Sequence, residues 1–374
     1  MSHRTCSPTT RTAARRNADP VRPTPLTVTR RMAGSCVALA TLALPLAATF
    51  LTMATLALPA TAQYGDELSA DDRSTIVQRL DELLRERYVF EDVADTMGDQ
   101  LLQNLADGHY DELGTFAALG AALTTELQDV SHDKHLRVRP TPPRTMEPSE
   151  EEQQLRAAQR AEQSRQGNYG FEQLFRLPGN VGLLDLRAFQ QADGPARDVA
   201  QAAMGFLSSC DALIVDLRQN GGGDPAMVQL ISSYLFDERT HLNSLYFRAE
   251  DSLEEFWTLD EVFGQRMADV PVFVLTSAYT FSAAEEFTYN LQCLGRATIV
   301  GENTGGGAHP GGSSPLHESL SVFIPAGQAI NPITGTNWEG TGVQPDVEVD
   351  ADGALDKALG LAQTAAQGFR EQQG

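Results

Sequence analysis

Four short stretches of this chain carry residue types that can do chemistry. Thr280-Phe281-Ser282-Ala283-Ala284-Glu285 opens a segment of helical spacing directly after the apolar run 272–276. Ser282 with Glu285 three residues on satisfies the capping-box pattern, which is a purely structural device. A serine at a helix N-terminus after a parallel strand also projects from the carboxyl edge of a sheet, where α/β sites lie. The N–H of Ala283 would then point outward, able to stabilise an oxyanion. Neither flanking glycine of a G-x-S-x-G elbow is present. Asp216-Leu217-Arg218-Gln219-Asn220-Gly221-Gly222-Gly223 reads either as a flexible strand-to-helix turn or as a loop whose backbone approaches a reacting carbonyl, with Gly222 as a second oxyanion donor. It has no G-K-[ST] and no G-x-G-x-x-G, and Asp224 follows at once, so a phosphate cradle is unsupported. Ser131-His132-Asp133-Lys134-His135 spaces two histidines at i and i+3 without a third grouped ligand, which fits one general base better than zinc. Glu339, beside Trp338 in a Gly-rich turn, is surface decoration or the group that orients an imidazole.

The elements that must position these residues fall into two grammars. Over residues 70–130, Ile76, Leu80, Leu83 and Leu84, then Met97, Leu101, Leu102 and Leu105, then Phe116, Leu119, Leu123 and Leu127 recur at helix spacing. They predict a small helical unit within residues 63–140. Residues 141–167 are Pro-bounded, charged and nearly free of large apolar side chains, a solvated helix or linker. From residue 168 onward, apolar strands at 180–186, 212–217, 272–276 and 297–300 alternate with helices at 195–207, 227–235 and 282–294. Unbroken apolar strands between helices indicate a mainly parallel sheet covered on both faces, an α/β (α+β) fold. Strand-like segments over 331–349 and an amphipathic helix at 353–367 close the chain.

Charge excludes some function classes. The chain of 374 residues has 28 Lys+Arg and 50 Asp+Glu, a formal charge of -22. Residues 1–62 hold seven Arg and one Asp, which leaves 21 of the 28 basic and 49 of the 50 acidic residues to 63–374, or -28. Such a surface repels nucleic-acid backbones and anionic lipid. Lys134 and Lys357 are the only lysines. Residues 1–62 read as an export signal: a basic stretch ends at Arg30-Arg31, an uncharged run follows from Met32, and Ala60-Thr61-Ala62 offers a small-x-small cleavage pattern. A retained membrane anchor is the competing reading of that run, and Pro45 and Pro59 weaken it. After cleavage two cysteines remain, Cys210 and Cys293, too few for a disulfide scaffold.

In chain order these pieces resemble one family. The stretches 133–138 (DKHLRV), 168–189 (NYGFEQLFRLPGNVGLLDLRAF), 212–223 (ALIVDLRQNGGG), 276–286 (TSAYTFSAAEE), 299–308 (IVGENTGGGA) and 338–347 (WEGTGVQPDV) resemble the tail-specific, C-terminal-processing serine peptidases of family S41. Within that family they are most similar to the branch of the tricorn core protease and interphotoreceptor retinoid-binding protein. The resemblance implies a crotonase-like ClpP/S41 core and no cofactor. It implies Ser282 as nucleophile, with Gly222 and Ala283 as the oxyanion hole. One branch of the family uses a Lys base within a G-E-x-T-x-G-K-like segment, and here Gly307 stands where that Lys would be. The other branch uses His and Glu, which map to His135 and Glu339, the latter holding the imidazole directly or through a water. Lys134 departs from the Ser or Gly found before that His in relatives, and no PDZ domain fits between His135 and Tyr169. The resemblance thus implies an exported, periplasmic or extracellular endopeptidase acting on peptides or unfolded protein tails. A catalytically silent binder of an apolar, retinoid-like ligand on the same fold is the alternative.

The acidity has its own consequence. If -28 is an adaptation to salt, carboxylate repulsion destabilises the fold where screening is poor. The melting temperature is then expected to rise across a salt series, and a flat profile would assign the charge to solubility or substrate choice.

Overall fold

The computed structural model describes residues 68–141 and 148–373, all within a unit spanning Ala62–Gly374. The export signal expected over 1–62 lies outside the described residues. Three helices come first, α1 (Ala70–Arg87), α2 (Glu91–Ala106) and α3 (Phe116–Ser131). Ser69 and Asp72 form a reciprocal capping box on α1, and Thr115 caps α3. Strand β1 (Arg137–Pro140) and helix α4 (Glu150–Gln166) follow; α4 buries none of its residues.

The larger part of the chain then alternates. It runs β2 (Phe171–Leu177), β3 (Val181–Leu186), α5 (Gly194–Leu207), β4 (Ala212–Asp216) and α6 (Pro225–Ser233). A hairpin of β5 (His241–Phe247) and β6 (Ser252–Trp257) precedes β7 (Val272–Thr276), α7 (Ala283–Cys293) and β8 (Ala297–Gly301). The chain closes through β9 (Gly311–His317), β10 (Leu320–Pro325), β11 (Gly327–Ile330), β12 (Val347–Glu348) and α8 (Ala351–Gln373).

Six strands form the central sheet in the order β12-β8-β7-β4-β3-β2. All neighbours are parallel except β2, which runs antiparallel to β3. Every residue of β3, β4 and β7 is buried, as their sequences, apolar apart from Asp185, Asp216 and Thr276, require. Alternate side chains serve opposite faces. Leu184, Leu213, Val215, Val272 and Val274 pack with α5, α6 and α7, while Leu183, Ala212, Ile214, Phe273 and Leu275 meet α8. The fold is thus α/β with a mainly parallel sheet and a helical N-terminal part, as the apolar pattern predicts.

Two antiparallel sheets, β1-β10-β9 and β11-β5-β6, were not legible in the sequence pattern. The first completes the helical unit. Leu136, Val138, Leu316, Leu320, Val322 and Ile324 join the cluster of Ile76, Leu80, Leu119 and Leu123, so a segment some 180 residues downstream in sequence supplies much of its core. The strands expected over 331–349 reduce to Val347–Glu348. The rest satisfies its backbone locally through turns, Gly335 N–H to Asn331 O (2.8 Å) and Gly342 N–H to Trp338 O (2.9 Å) among them. Cys210 and Cys293 are free thiols, not a disulfide. Among the described residues no helix is long and apolar enough to cross a membrane.

Helix α8 rests on the sheet through Ala354, Ala358, Ala362 and Ala366, all fully buried at i, i+4 spacing. Small side chains let the helix approach closely, and overpacking such a contact costs about 1–3 kcal/mol. Ala358→Leu should therefore lower the unfolding free energy measured in urea by an amount in that range, whereas Thr364→Leu, off the stripe, should leave it nearly unchanged.

Candidate active site

Strand β7 delivers the chain to a tight turn before α7, and Ser282 occupies its apex with φ 56° and ψ -124°. An ordinary N-cap has extended backbone angles, so the capping reading accounts for only part of this residue. A non-glycine residue held at such angles costs on the order of 1–3 kcal/mol, and surrounding contacts must hold it there. They do. Phe281 N–H donates to Asn220 O (3.1 Å), Glu286 N–H to Ser282 O (2.9 Å), and Ser282 N–H to Glu285 Oε2 (2.9 Å).

Glu285 is fully buried and does more than cap. Its carboxylate also accepts from Thr304 Oγ1 (2.5 Å), Gly306 N–H (2.7 Å) and Gly307 N–H (2.9 Å). Burial raises its pKa and these donors oppose the rise. The serine turn and the loop after β8 are thereby fastened to one carboxylate. That loop leaves room for a ring: a Cβ at Gly307 would lie 2.6 Å from His135 Cε1 and 2.2 Å from Phe281 Cζ. The imidazole therefore fills space beside the position where the sequence lacks a lysine.

His135 follows the C-terminus of α3 and precedes β1. Its ring stacks on Phe323 (centroids 5.7 Å apart) and tilts against Phe281 (4.5 Å), the residue before Ser282. Both ring nitrogens are buried without a hydrogen-bond partner. The carboxylate beside the ring is Asp133, whose Oδ1 accepts the His135 backbone N–H (2.9 Å) and lies 3.7 Å from Nδ1. His132 has parted from it, exposed as the left-handed C-cap of α3.

Glu339 differs from the sequence expectation. Its imidazole neighbour is His309, with Nδ1 3.5 Å from Glu339 Oε2 and 2.7 Å from Asp133 Oδ2. No ion pair joins Glu339 to His135 among the described residues. Ala308 N–H donates to Glu339 Oε2, while Oε1 is buried without a partner. Spatially the groups run His135, Asp133, His309, Glu339. His309 was missed in the sequence because it stands alone in a Gly-rich stretch; its one signal was the adjacent matching segment 299–308. Ligand-type atoms of Asp133, His309 and Glu339 all lie within 4.8 Å of one another. A proton across the 2.7 Å His309–Asp133 contact accounts for that arrangement without an ion.

Gly222 packs against the serine, since a Cβ there would lie 2.7 Å from Ser282 Cβ and 3.0 Å from Ala283 N. Its φ of 108° suits glycine. Its N–H, however, donates to Asn220 Oδ1 (2.8 Å) and is not free in this state. Ala283 N–H has no acceptor among the described residues. His135, Phe281, Ser282 and Phe323 line one open cavity of ≈ 920 Å³.

The buried cluster sets a pH dependence. Burial and the neighbouring Asp133 push Glu339 up to about 7. Burial works to lower His309, but its hydrogen bond to Asp133 and the Glu339 charge raise it above 6.5. Burial works to raise Asp133, but contacts with His135 and His309 hold it below the usual range. A raised Glu binds protons that the unfolded chain has released, so its contribution falls as pH rises from 4.5 toward 7. The raised His309 contributes stability present below 6.5 and lost as pH climbs through its folded value. Asp133 contributes above its unfolded value, and that contribution is lost only at much lower pH. Urea midpoints should thus fall from pH 5 to 8, and Glu339→Gln should flatten that decline; an unchanged slope would refute the assignment.

The profile of peptidase family S41 matches residues 180–349, and that of the N-terminal domain of this family in eukaryotic IRBP matches residues 70–175. A carboxy-terminal-processing protease of Bartonella bacilliformis is 26% identical over 182 residues, spanning 47% of this chain and 40% of that protein. Among solved structures, mature CPAF matches with a TM-score of 0.55 at 12% identity, over 80% of this chain and 98% of that one. The tricorn protease matches at 0.52 and 15% identity, over 80% of this chain and 37% of that one. At these identities the structural likenesses speak for the fold alone. The two profiles divide the chain between the N-terminal helices and the parallel sheet that carries Ser282, and the chain belongs to peptidase family S41.

Proposed function

We propose that the protein is an exported serine endopeptidase that hydrolyses peptides or unfolded protein tails through an acyl-enzyme on Ser282, with His135 as general base. One observation carries the reading. A serine held at φ 56° beyond the carboxyl end of a parallel strand shares a cavity with a histidine whose ring nitrogens have no hydrogen-bond partner. Strain of this kind persists where surrounding contacts over-determine it, and it concentrates at functional turns.

In the proposed cycle Ser282 Oγ attacks the scissile carbonyl carbon while His135 takes its proton. The tetrahedral oxyanion is held by Ala283 N–H and by the Gly222 N–H once the latter leaves Asn220. His135 then protonates the departing amine, the C–N bond breaks, and the acyl group remains on Ser282. Water, deprotonated by His135, hydrolyses that ester and restores the hydroxyl. Asp133 is the carboxylate placed to stabilise the imidazolium, and Glu339 supports it through His309. Neither ring nitrogen of His135 has a hydrogen-bond partner in this state; in the proposed cycle the Ser282–His135 hydrogen bond forms when substrate closes the site and excludes water.

A fluorophosphonate probe should label Ser282 stoichiometrically in folded protein and leave Ser282→Ala unlabelled. His135→Ala should lower kcat/KM by about 10²–10⁴-fold, the usual worth of a general base. Absence of label on well-folded protein would remove the peptidase reading and leave that of an apolar-ligand binder.

A further inference from the structure

The charge around the serine is opposite to that of the protein. Residues 63–374 carry -28, yet the cavity shared by Ser282 and His135 is lined by Lys134, Arg137 and Arg139 against only Asp224 and Glu254. One of just two lysines in the chain stands there. The three cations form a wall built by β1 and the turn before it. Arg137 and Arg139 are at alternate positions of the strand and face the cavity with their cross-strand partners Phe323 and Ser321, while Val138 between them is buried in the helical unit.

None of the three has a carboxylate partner among the described residues, whereas Arg85, Arg187 and Arg218 are each paired with an acid. Lys134 and Arg137 are held in place by neutral groups instead. Lys134 Nζ donates to Gly305 O (2.5 Å), Arg137 Nε donates to Lys134 O (2.7 Å), and the Arg137 guanidinium lies 5.9 Å from the centroid of the Phe281 ring. Positioned cations that lack a counter-ion, in a protein with acid to spare, leave a charge for a ligand to complete. Burial and the neighbouring Arg139 both disfavour the charged form of Arg137, a cost that an incoming carboxylate relieves.

Resting on the peptidase reading for its catalytic consequence, we infer that the β1 wall is a substrate subsite that selects acidic side chains flanking the scissile bond. Three cations exceed what a single chain-terminal carboxylate can neutralise, and the two-residue spacing of Arg137 and Arg139 along β1 matches successive same-face side chains of an extended peptide. Long-range repulsion from the acidic surface is screened beyond about 8 Å at physiological salt, so contact with the wall decides binding.

The test separates binding from turnover. Ser282→Ala protein is titrated with fluorescent decapeptides bearing Glu, or Gln in its place, each with a free or an amidated C-terminus. The Glu peptides are expected to bind at least about tenfold more tightly with either terminus. In the otherwise wild-type enzyme, the ratio of kcat/KM for Glu over Gln peptides should move the same way, and Arg137→Gln/Arg139→Gln should bring both ratios toward one. Should the double variant fail to fold, the exposed Arg139→Gln alone should still cut the ratio severalfold. Equal binding of Glu and Gln peptides, a preference that vanishes on amidation, or a ratio untouched by the arginine variants would each overturn the subsite. If no peptide is hydrolysed while the binding ratio holds, it is the peptidase reading that fails.

Discussion

The Glu285 carboxylate is the point on which the site depends. It sits in the first turn of α7, fully buried, and gathers the Ser282 N–H, the Thr304 hydroxyl and the N–H groups of Gly306 and Gly307. Four donors converging on one desolvated carboxylate are worth more than their number suggests, because each would be costly to leave unmade. Through them the turn after β7 and the loop after β8 become one rigid body. Thr304 extends the link, since its hydroxyl also accepts from Val343 N–H (2.7 Å), bringing in the turn that bears Glu339. A short polar side chain thereby does what no apolar packing could do at the solvent-facing edge of a sheet.

That rigidity explains the glycines and the strain together. Gly307 must lack a side chain because His135 and Phe281 already occupy its Cβ direction. Gly222 must lack one because Ser282 and the Phe281 carbonyl lie there, 2.7 and 2.9 Å from where its Cβ would be. Ser282 in turn is held at φ 56° by hydrogen bonds on both sides of its backbone, not by its own preference. A lysine at 307 and an imidazole from residue 135 would compete for the same volume.

What the sequence made legible follows from which interactions are local. The strands at 181–186, 212–216 and 272–276 declared themselves because burial on both faces forces unbroken apolar runs. Ser282, Gly222 and Ala283 were legible as a constellation, and they do meet around one turn. The hairpin β5–β6 was hidden by its half-exposed, mixed composition, and β9–β10 by glycine, serine and proline. The link through His309 could not be read at all. It joins Asp133 to a residue 176 positions away, and nothing in the periodicity of a lone histidine marks such a partner. Asp133, two residues from His135, stands beside its ring, a place the sequence pattern assigned to Glu339.

The placement of Asp133 also connects the two halves of the molecule. Its backbone belongs to the turn that leaves α3, so the imidazole is aimed by the helical N-terminal unit, whereas the serine is aimed by the sheet. The two are joined by β9 and β10, which cross from the loop after β8 to pair with β1 and fill the helical core. Anything that shifts this three-stranded sheet must move His135 relative to Ser282 and must carry Arg137 and Arg139 with it. The position of the His135 ring and the positive charge lining the cavity are thus coupled through one short strand, and on the proposed reading a substrate that draws on the arginines acts on the same element that sets the histidine.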